Sequence, residues 1–264
     1  MNEEPVIFRA SPEGVASVTL NRPQVHNAFD DDTIARLSDV LEDLHGADGI
    51  RVVLIEATGV SFSAGADLDW MRRAAEDFTE EDNLEDARAL GEMLRRLDRL
   101  PKPTIALVQG AAFGGGAGLV AACDIAVAVE HAVFAFSEVR LGIIPATIAP
   151  YVLRATGARV GRRYCVTGER FDAREALRIG LVHEVVADAE ALSAAGERLC
   201  DAIFAAAPGA IAETKDLIAE IAGQPIDRDL IDETAHRIAR VRTSEEAREG
   251  IEAFLAKRRP RWAP

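Results

Sequence analysis

Two glycine-containing segments each follow an apolar run and could place backbone N–H groups around a ligand. They are residues 61–68 (SFSAGADL) and residues 109–118 (QGAAFGGGAG). Small residues let a ligand approach the main chain, and a following helix directs unpaired N–H groups and the positive end of its dipole toward it. If the two turns meet, their amides could stabilise charge developing on a carbonyl oxygen, as in an oxyanion hole. Such turns are also common in purely structural α/β crossovers, and neither run has the phosphate-loop lysine pattern or the dinucleotide fingerprint.

Glu138 is the leading candidate for proton transfer. It stands between the apolar runs 133–136 and 141–145, whereas the usual position of a glutamate is a solvated surface. Other acidic and thiol groups favour structural roles. Asp67 occurs where a helix should begin and is expected to be its N-cap. Asp124 is also expected to be structural, and Cys123 to be a core thiol because no His/Asp partner pattern supports a nucleophile.

The histidines and cysteines do not form a metal-binding pattern. Five histidines lack a spacing such as H-E-x-x-H, and three widely separated cysteines offer neither a disulfide framework nor paired metal ligands. Buried, reduced thiols are expected. The chemistry predicted from the glycine turns requires no cofactor, because backbone donors could take the place of a Lewis acid.

Composition and charge limit the classes of partner. The 264 residues are 48% hydrophobic and carry a formal charge of −14, which is typical of a globular protein and opposes nucleic-acid or anionic-lipid binding. An anionic small ligand remains compatible, because helix N-termini bind anions locally. No run is long and apolar enough for a membrane helix, and the start, MNEEPVIFRA, is unlike a secretory signal. We therefore expect a cytoplasmic protein.

The elements that must position these residues alternate between strands and helices. Apolar runs predict strands over 15–20, 51–57, 104–108 and 125–129, and helical spacing predicts helices over 32–44, 87–100 and 119–123. Residues 70–86 are expected to form a surface helix or a mobile loop. This order favours a parallel or mixed sheet in an α/β core over residues 1–190. Helical periodicity dominates 191–264, which we expect to form a helical C-terminal region.

The final helix has a predicted start and an apolar face. Thr243 and Glu246 have the spacing of a capping box. The apolar residues that follow at helical spacing are Ala247, Ile251, Phe254 and Leu255. An apolar helix face of this kind needs a partner surface.

Several motifs in a fixed order resemble those of the crotonase superfamily, also called the enoyl-CoA hydratase/isomerase family. They are NRP with HNAF, FSAGADL, KPTIALVQG, FGGGAGLVAACD, FSEVRLGIIPA and EGIEAFLAKRRPRW. The resemblance covers nearly the whole chain. Within the superfamily the chain looks most like the methylglutaconyl-CoA hydratase group, through GADLDWMRR, GAAFGGGAGLVAACD and SEVRLGIIPATIAPYV.

The resemblance implies a fold, an assembly and a set of site residues. It implies an α/β spiral of stacked ββα turns with a helical C-terminal trimerisation region, and a homotrimer or dimer of trimers that binds an acyl-CoA thioester. By position, Ala66 and Gly115 would supply the oxyanion-hole amides and Glu138 the catalytic carboxylate. The positions expected to contact substrate or CoA are Ala64, Gly65, Asp67, Leu68, Gly118, Pro145, Phe254 and Lys257.

Gly118 departs from the pattern of the family, whose hydratases usually have a second carboxylate at this position. This departure does not fit hydration by two glutamates that hold a water between them. The methylglutaconyl-type group, which would hydrate a branched or carboxylated enoyl-CoA, nevertheless shares this glycine. A single base is sufficient for a Δ3,Δ2-enoyl-CoA isomerase, and a non-catalytic acyl-CoA-binding protein is a third alternative. If the substrate carries a carboxylate, glycine would remove a repelling charge and make room for it. Arg72, Arg73 or Arg140 would then pair with the substrate.

Overall fold

The computed structural model of the protein describes residues 4–263, which contain ten strands and eleven α-helices. The strands are β1 (Val6–Ala10), β2 (Val15–Leu20), β3 (Val52–Ala57), β4 (Ser61–Ser63), β5 (Thr104–Val108), β6 (Ala111–Phe113), β7 (Ile125–Val129), β8 (Val133–Ala135), β9 (Phe171–Asp172) and β10 (Glu184–Val186). The helices are α1 (Asp31–His45), α2 (Leu68–Glu76), α3 (Glu80–Asp98), α4 (Gly115–Ala122), α5 (Ala149–Thr156), α6 (Ala158–Thr167), α7 (Ala173–Arg178), α8 (Ala189–Phe204), α9 (Pro208–Ile221), α10 (Arg228–Arg242) and α11 (Glu245–Leu255).

The strands form two sheets. The larger has the order β1-β2-β3-β5-β7-β10, and the smaller has the order β4-β6-β8-β9. Strand β1 is antiparallel to β2, and β9 is antiparallel to β8. The other strand pairs are parallel. The predicted parallel or mixed sheet is therefore confirmed, but as two sheets.

Successive turns of the chain repeat one pattern. A strand of the large sheet is followed by a strand of the small sheet and then by a helix: β3, β4 and α2, then β5, β6 and α4. Strands β7 and β8 start a third turn, which continues through a 3₁₀ turn (Glu138–Leu141) to α5. This is the α/β spiral of ββα turns that the resemblance implies. Because β4, β6 and β8 are parallel neighbours, their carboxyl ends meet at one edge of the small sheet.

The core lies around the large sheet. All five residues of β5 and four of the five in β7 are buried, as expected for central parallel strands covered on both faces. Helices α1 and α3 pack against each other. Their buried apolar residues include Leu37, Leu41, Met93 and Leu97.

Most predicted elements agree with the structure, and the exceptions have local causes. Strands 15–20, 104–108 and 125–129 have the predicted bounds. Residues 70–86 span the end of α2 and the start of α3. Thr79 and Asp82 form a capping box that starts α3 there. The predicted helix 119–123 begins earlier, at Gly115, because the glycine cluster itself supplies its first turn.

The predicted capping box at Thr243 and Glu246 is wrong. Thr243 closes the C-terminus of α10, and the next residue, Ser244, caps α11 by accepting a hydrogen bond from the Ala247 amide. Glu246 instead accepts hydrogen bonds from the amides of Gly209 and Ala210 at the start of α9. An N-cap needs extended backbone, which Ser244 has and Thr243 lacks.

The C-terminal helices leave apolar side chains uncovered in the single chain. Helix α8 spans the predicted division at residue 190, and its residues Leu192 and Ala195 are buried in the core. The division into two regions stays a prediction. No residue of α9 or α10 is buried. On α11, Phe254 is 82% exposed. Among the described helices, none combines the length and apolar composition that crossing a bilayer requires.

Candidate functional site

The first glycine turn directs the N–H of Ala66 away from the neighbouring chain segment. Phe29 pairs with Ala66 in a parallel bridge: the Phe29 N–H donates to the Gly65 carbonyl (2.7 Å), and the Asp67 N–H donates to the Phe29 carbonyl (2.8 Å). In a parallel bridge the residue between these two bonds directs its own N–H to the opposite side. The Ala66 amide therefore points away from Phe29. It has no hydrogen-bond partner within residues 4–263.

Asp67 fixes the end of this turn. One carboxylate oxygen accepts hydrogen bonds from the amides of Asp69 and Trp70, which confirms the predicted N-cap of α2. The other oxygen pairs with Arg22 at 3.1 Å. The same guanidinium donates to the Ala28 carbonyl at 2.7 Å. Arg22 thus ties the turn to the segment that carries Phe29.

The second glycine turn brings the amide of Gly115 to the first turn. Gly114, between β6 and α4, has φ 48° and ψ −119°, which side chains rarely tolerate. Gly115 is the first residue of α4, where backbone N–H groups have no intrahelical acceptor, and within the described chain its amide has no partner. A β-carbon built on Gly65 would lie 2.9 Å from the Phe113 carbonyl oxygen and 3.5 Å from the Gly115 nitrogen. The two turns are therefore in contact.

Glu138 faces this junction from the third strand end. It begins the 3₁₀ turn after β8, and its Oε1 lies 3.0 Å from the position of a β-carbon built on Gly114. Its Oε2 is buried and has no hydrogen-bond partner in the part of the chain described. Burial raises the pKa of Glu138, because an uncompensated carboxylate is poorly solvated. This unpaired carboxylate has the properties of a general base.

A half-buried thiol is the ionisable neighbour of Glu138. Burial raises the pKa of Cys165, and the negative charge of Glu138 raises it further. A thiol with a raised pKa is a poor nucleophile near neutral pH. Cys165 therefore adds no second charge beside Glu138.

Gly118 does not open onto the site. A β-carbon built on this buried residue would lie 2.2 Å from Cγ2 and 2.7 Å from Cβ of Ile148. Ile148 is 2% exposed. The expectation that Gly118 makes room for the substrate is wrong, because Ile148 already fills that space.

The remaining predicted contact residues fall into two groups. Residues 64–68 alternate between exposed and buried. Ala64, Ala66 and Leu68 are exposed, and Gly65 and Asp67 are buried. The exposed residues therefore share one face of the first glycine turn, beside its contact with the second turn. Pro145 is half-buried in the loop after Glu138, and its carbonyl accepts a hydrogen bond from the Ala149 N–H.

Phe254 and Lys257 lie at the end of α11, which contacts α10. Both are exposed. Their contact with CoA stays a prediction.

The three arginines considered for a substrate carboxylate differ in their surroundings. Arg72 pairs with Asp69 at 3.1 Å, and Arg73 with Asp31 at 3.7 Å. Arg140 is exposed and stands two residues after Glu138. It forms no ion pair in the described residues, although its charge, after that of Arg163, helps to lower the pKa of Glu169. Of the three arginines, Arg140 is therefore the one without a carboxylate partner within ion-pair distance.

The residues predicted to be structural have that role. Asp124 accepts hydrogen bonds from the amide and hydroxyl of Thr104 and pairs with Lys215. Cys123 is buried, and burial raises the pKa of its thiol. Within residues 4–263, no three His, Cys, Asp or Glu side chains come together as a metal site would require.

Two residues that hold the site together, and one that packs against α4, make contacts that no signal in the sequence points to. Arg22 and Phe29 lie within the motifs NRP and HNAF, but only the bridge to Ala66 and the ion pair with Asp67 reveal what they hold. Ile148 follows an ordinary loop, and its contact with Gly118 depends on how α5 packs on α4.

Comparison with known proteins agrees with this geometry. The family model described as enoyl-CoA hydratase/isomerase matches residues 10–264. A solved enoyl-CoA hydratase from Shewanella pealeana is 45% identical, with a TM-score of 0.94, covering 98% of this chain and 96% of that one. The solved AtuE protein of Pseudomonas aeruginosa is 37% identical, with a TM-score of 0.94, covering 99% and 100%. A short-chain-enoyl-CoA hydratase of Clostridium acetobutylicum is 34% identical over 251 residues, 93% of this chain and 92% of its own length.

Proposed function

Because the chain belongs to the enoyl-CoA hydratase/isomerase family and is an enzyme of that family, we propose that it hydrates an α,β-unsaturated acyl-CoA with Glu138 as its base. The amides of Ala66 and Gly115 would form the oxyanion hole. Coenzyme A is part of the substrate, and no separate cofactor takes part in the proposed reaction. The observation that carries the proposal is the unpaired, buried carboxylate of Glu138 beside two glycine turns in contact.

In the proposed mechanism the thioester oxygen lies between the two amides. Negative charge develops on this oxygen as the enolate forms, and each donor stabilises the transition state by about 3 kcal/mol. Glu138 takes a proton from water as the oxygen of that water adds to Cβ. It then delivers a proton to Cα. Dehydration follows the same steps in reverse.

Glu138→Gln tests this assignment directly. The variant keeps the size and polarity of the side chain but cannot accept a proton, so turnover should fall by about 10²–10⁴-fold. Binding of an acyl-CoA should be nearly unchanged, which calorimetry can measure. Glu190→Gln, an exposed position on α8, is the matched control. Full activity in Glu138→Gln would refute the proposal.

We propose a branched, carboxylated acyl group such as methylglutaconyl as the substrate. The support is the similarity of the motifs around Ala66, Gly115 and Glu138 to those of methylglutaconyl-CoA hydratases, together with Arg140, which is exposed and stands two residues after the base in the same 3₁₀ turn. Arginine pairs well with carboxylates. Methylglutaconyl-CoA should be hydrated faster than crotonyl-CoA, and Arg140→Gln should remove most of this preference. Equal rates for both substrates would contradict this part of the proposal.

Isomerisation of a 3-enoyl-CoA is the second candidate activity. It is favoured by one observation: position 118, where the resemblance places a second carboxylate in the family's hydratases, is a glycine packed against the side chain of Ile148. A single carboxylate can move a proton between two carbons of the substrate without water. The test is to incubate a 3-enoyl-CoA in ¹⁸O-labelled water. Formation of the conjugated 2-enoyl-CoA indicates isomerisation, and formation of an ¹⁸O-labelled 3-hydroxyacyl-CoA indicates hydration.

We also propose that the protein is a cytoplasmic homotrimer or a dimer of trimers that binds neither nucleic acid nor membranes. The exposed apolar residues of α9 to α11, including Ile218 and Phe254, support an assembly through the C-terminal helices. In such an assembly Phe254 and Lys257 could reach the CoA of a neighbouring subunit. Analytical ultracentrifugation tests the assembly, and a monomer at micromolar concentration would contradict it.

A further inference from the structure

Phe29 contacts both glycine turns of the candidate site. Its main chain forms the parallel bridge with Ala66 through its own N–H and carbonyl groups. Its ring lies against the second turn, because a β-carbon built on Gly115 would stand 3.1 Å from Cδ2 and 3.3 Å from Cε2 of Phe29. The backbone and the ring of one residue therefore touch the two residues whose amides are proposed to form the oxyanion hole.

The ring of Phe29 has a fixed position in the core. The residue is 3% exposed and packs within the hydrophobic core. Carbon atoms in contact stand about 3.5–4.0 Å apart, so the ring leaves no room for a side chain at position 115. It therefore occupies the side-chain face of Gly115 and supports the first turn of α4. In a close-packed interior, Gly115 can move toward the core only if the ring moves with it.

The Arg22 guanidinium fixes the main chain on both sides of Phe29. It donates a hydrogen bond of 2.7 Å to the carbonyl of Ala28, which precedes Phe29, and pairs at 2.8 Å with Asp30, which follows it. It also pairs at 3.1 Å with Asp67, which follows the bridged residue of the first turn. The Arg22 side chain is only 19% exposed, and charge-assisted hydrogen bonds are strong where water is largely excluded. These contacts therefore hold the bridge in one register.

We infer that Phe29 is a positioning residue that sets the spacing and direction of the two oxyanion-hole amides, that of Ala66 through its backbone and that of Gly115 through its ring. The inference rests on the proposed function, in which both amides donate to the thioester oxygen. Hydrogen bonds weaken steeply as they depart from linearity, so two donors need a common support to converge on one atom. Because negative charge develops on that oxygen only in the transition state, loss of the support should lower kcat more than it raises KM.

Phe29→Ala tests this inference, because it keeps the backbone bridge and removes the ring from Gly115. Turnover is measured with crotonyl-CoA or methylglutaconyl-CoA, whichever the wild type hydrates faster. We expect kcat to fall by about tenfold or more, a part of the 10²–10³-fold that loss of one oxyanion-hole donor costs. KM should stay within about threefold of the wild type, since the ground state depends less on these donors.

A second measurement reports the oxyanion hole directly. Hydrogen bonds to a carbonyl oxygen lower its stretching frequency. Difference infrared spectroscopy is recorded on bound butyryl-CoA labelled with ¹³C at the thioester carbonyl, a saturated compound that cannot be hydrated. Binding to the wild type should lower the carbonyl frequency, and binding to Phe29→Ala should lower it less. A residue that only fills the core would leave this frequency unchanged.

Phe204→Ala is the matched control. It also removes a buried ring, but that ring lies at the end of α8, 5.1 Å from the Arg51 guanidinium. Truncation in the core destabilises a protein wherever it is made, so this variant should lose stability and keep the carbonyl frequency and kcat of the wild type. Should Phe29→Ala fail to fold, Phe29→Val is measured instead, because a β-branched residue suits the extended backbone of a bridge and also lacks the ring carbons. An unchanged carbonyl frequency in the Phe29 variant, or an equal change in Phe204→Ala, would overturn the inference.

Failure of this inference is distinguishable from failure of the proposed function. If binding to the wild type does not lower the carbonyl frequency, the proposed oxyanion hole and the role of Phe29 are both wrong. A lowering in the wild type that persists in the Phe29 variant would remove only the role of Phe29. A smaller lowering in that variant, together with full activity in Glu138→Gln, would keep the role of Phe29 and remove Glu138 as the base.

Discussion

The contact between Gly118 and Ile148 predicts that Gly118→Ala destabilises the wild-type protein but stabilises a variant that lacks the Ile148 side chain. A β-carbon on Gly118 would lie 2.2 Å from Ile148 Cγ2, whereas carbons in contact stand about 3.5–4.0 Å apart. Gly118→Ala therefore requires a shift of roughly 1.5 Å in a buried region, and overpacking of this kind costs about 1–3 kcal/mol. At about 2–4 °C per kcal/mol, the melting temperature should fall by roughly 2–12 °C.

In an Ile148→Gly background the same substitution should stabilise the protein. Truncation to glycine is needed because a β-carbon on Gly118 would lie 2.7 Å from Cβ of Ile148, which an alanine would retain, but 3.7 Å from its Cα, an ordinary contact. Alanine is favoured over glycine inside a helix by about 1 kcal/mol, so the two substitutions should be coupled by about 2–4 kcal/mol, at or above the upper end of the range of about 0.5–3 kcal/mol measured for residues in contact. Ile148→Gly by itself should cost at least the roughly 2–5 kcal/mol of a truncation to alanine.

Thermal or urea unfolding of the four proteins in the cycle measures this coupling. Gly91→Ala in α3 is the matched control, because a β-carbon there would meet only Thr147 Cγ2, at an ordinary 3.6 Å. It should stabilise the protein slightly in either background. The reasoning is refuted if Gly118→Ala changes stability equally in both backgrounds, or if it behaves like Gly91→Ala.

Three further predictions concern ionisable groups. Burial raises the pKa of Glu138, and the base must be ionised to accept a proton. As the pH decreases, kcat/KM should therefore fall with an apparent pKa above about 4.3, the usual pKa of glutamate. An apparent pKa at or below that value would contradict Glu138 as the base. Arg258 holds the pKa of Glu249 at about 2, so Glu249→Gln should lower the melting temperature at neutral pH. That difference should shrink as the pH falls toward 2, and a difference independent of pH would contradict the ion pair. Burial, with the nearby charge of Asp31, raises the pKa of Asp86 to about 6. Asp86→Asn should therefore raise the melting temperature above that pH but not in acid. An unchanged melting temperature above pH 6 would contradict the cost of ionising Asp86 in the folded protein.

The local elements of the fold could be predicted because their signals are local. The central strands are continuous apolar runs, since they are buried on both faces. Asp67 was expected as an N-cap from its type and position alone, and the structure confirms it. The short strands β4, β6 and β8 have only three residues each, too few for periodicity to distinguish them from loops.

The sequence pattern did not decide which of two adjacent residues caps α11. Thr243 and Ser244 both have side chains that cap helices. Only the path of the chain out of α10 gives Ser244 the extended backbone that a cap needs. Glu246 does not belong to this cap. Its carboxylate accepts hydrogen bonds from the amides of Gly209 and Ala210 at the start of α9.

The sequence by itself determined the chemical groups of the candidate site: two flexible, small-residue turns and one carboxylate between apolar runs. The tertiary structure decided that these groups meet, because β4, β6 and β8 are parallel neighbours whose carboxyl ends share one edge. It also decided that the space beside Gly118 belongs to Ile148. Residue type and spacing act along a few turns of chain, whereas the contents of a buried space depend on how distant helices pack.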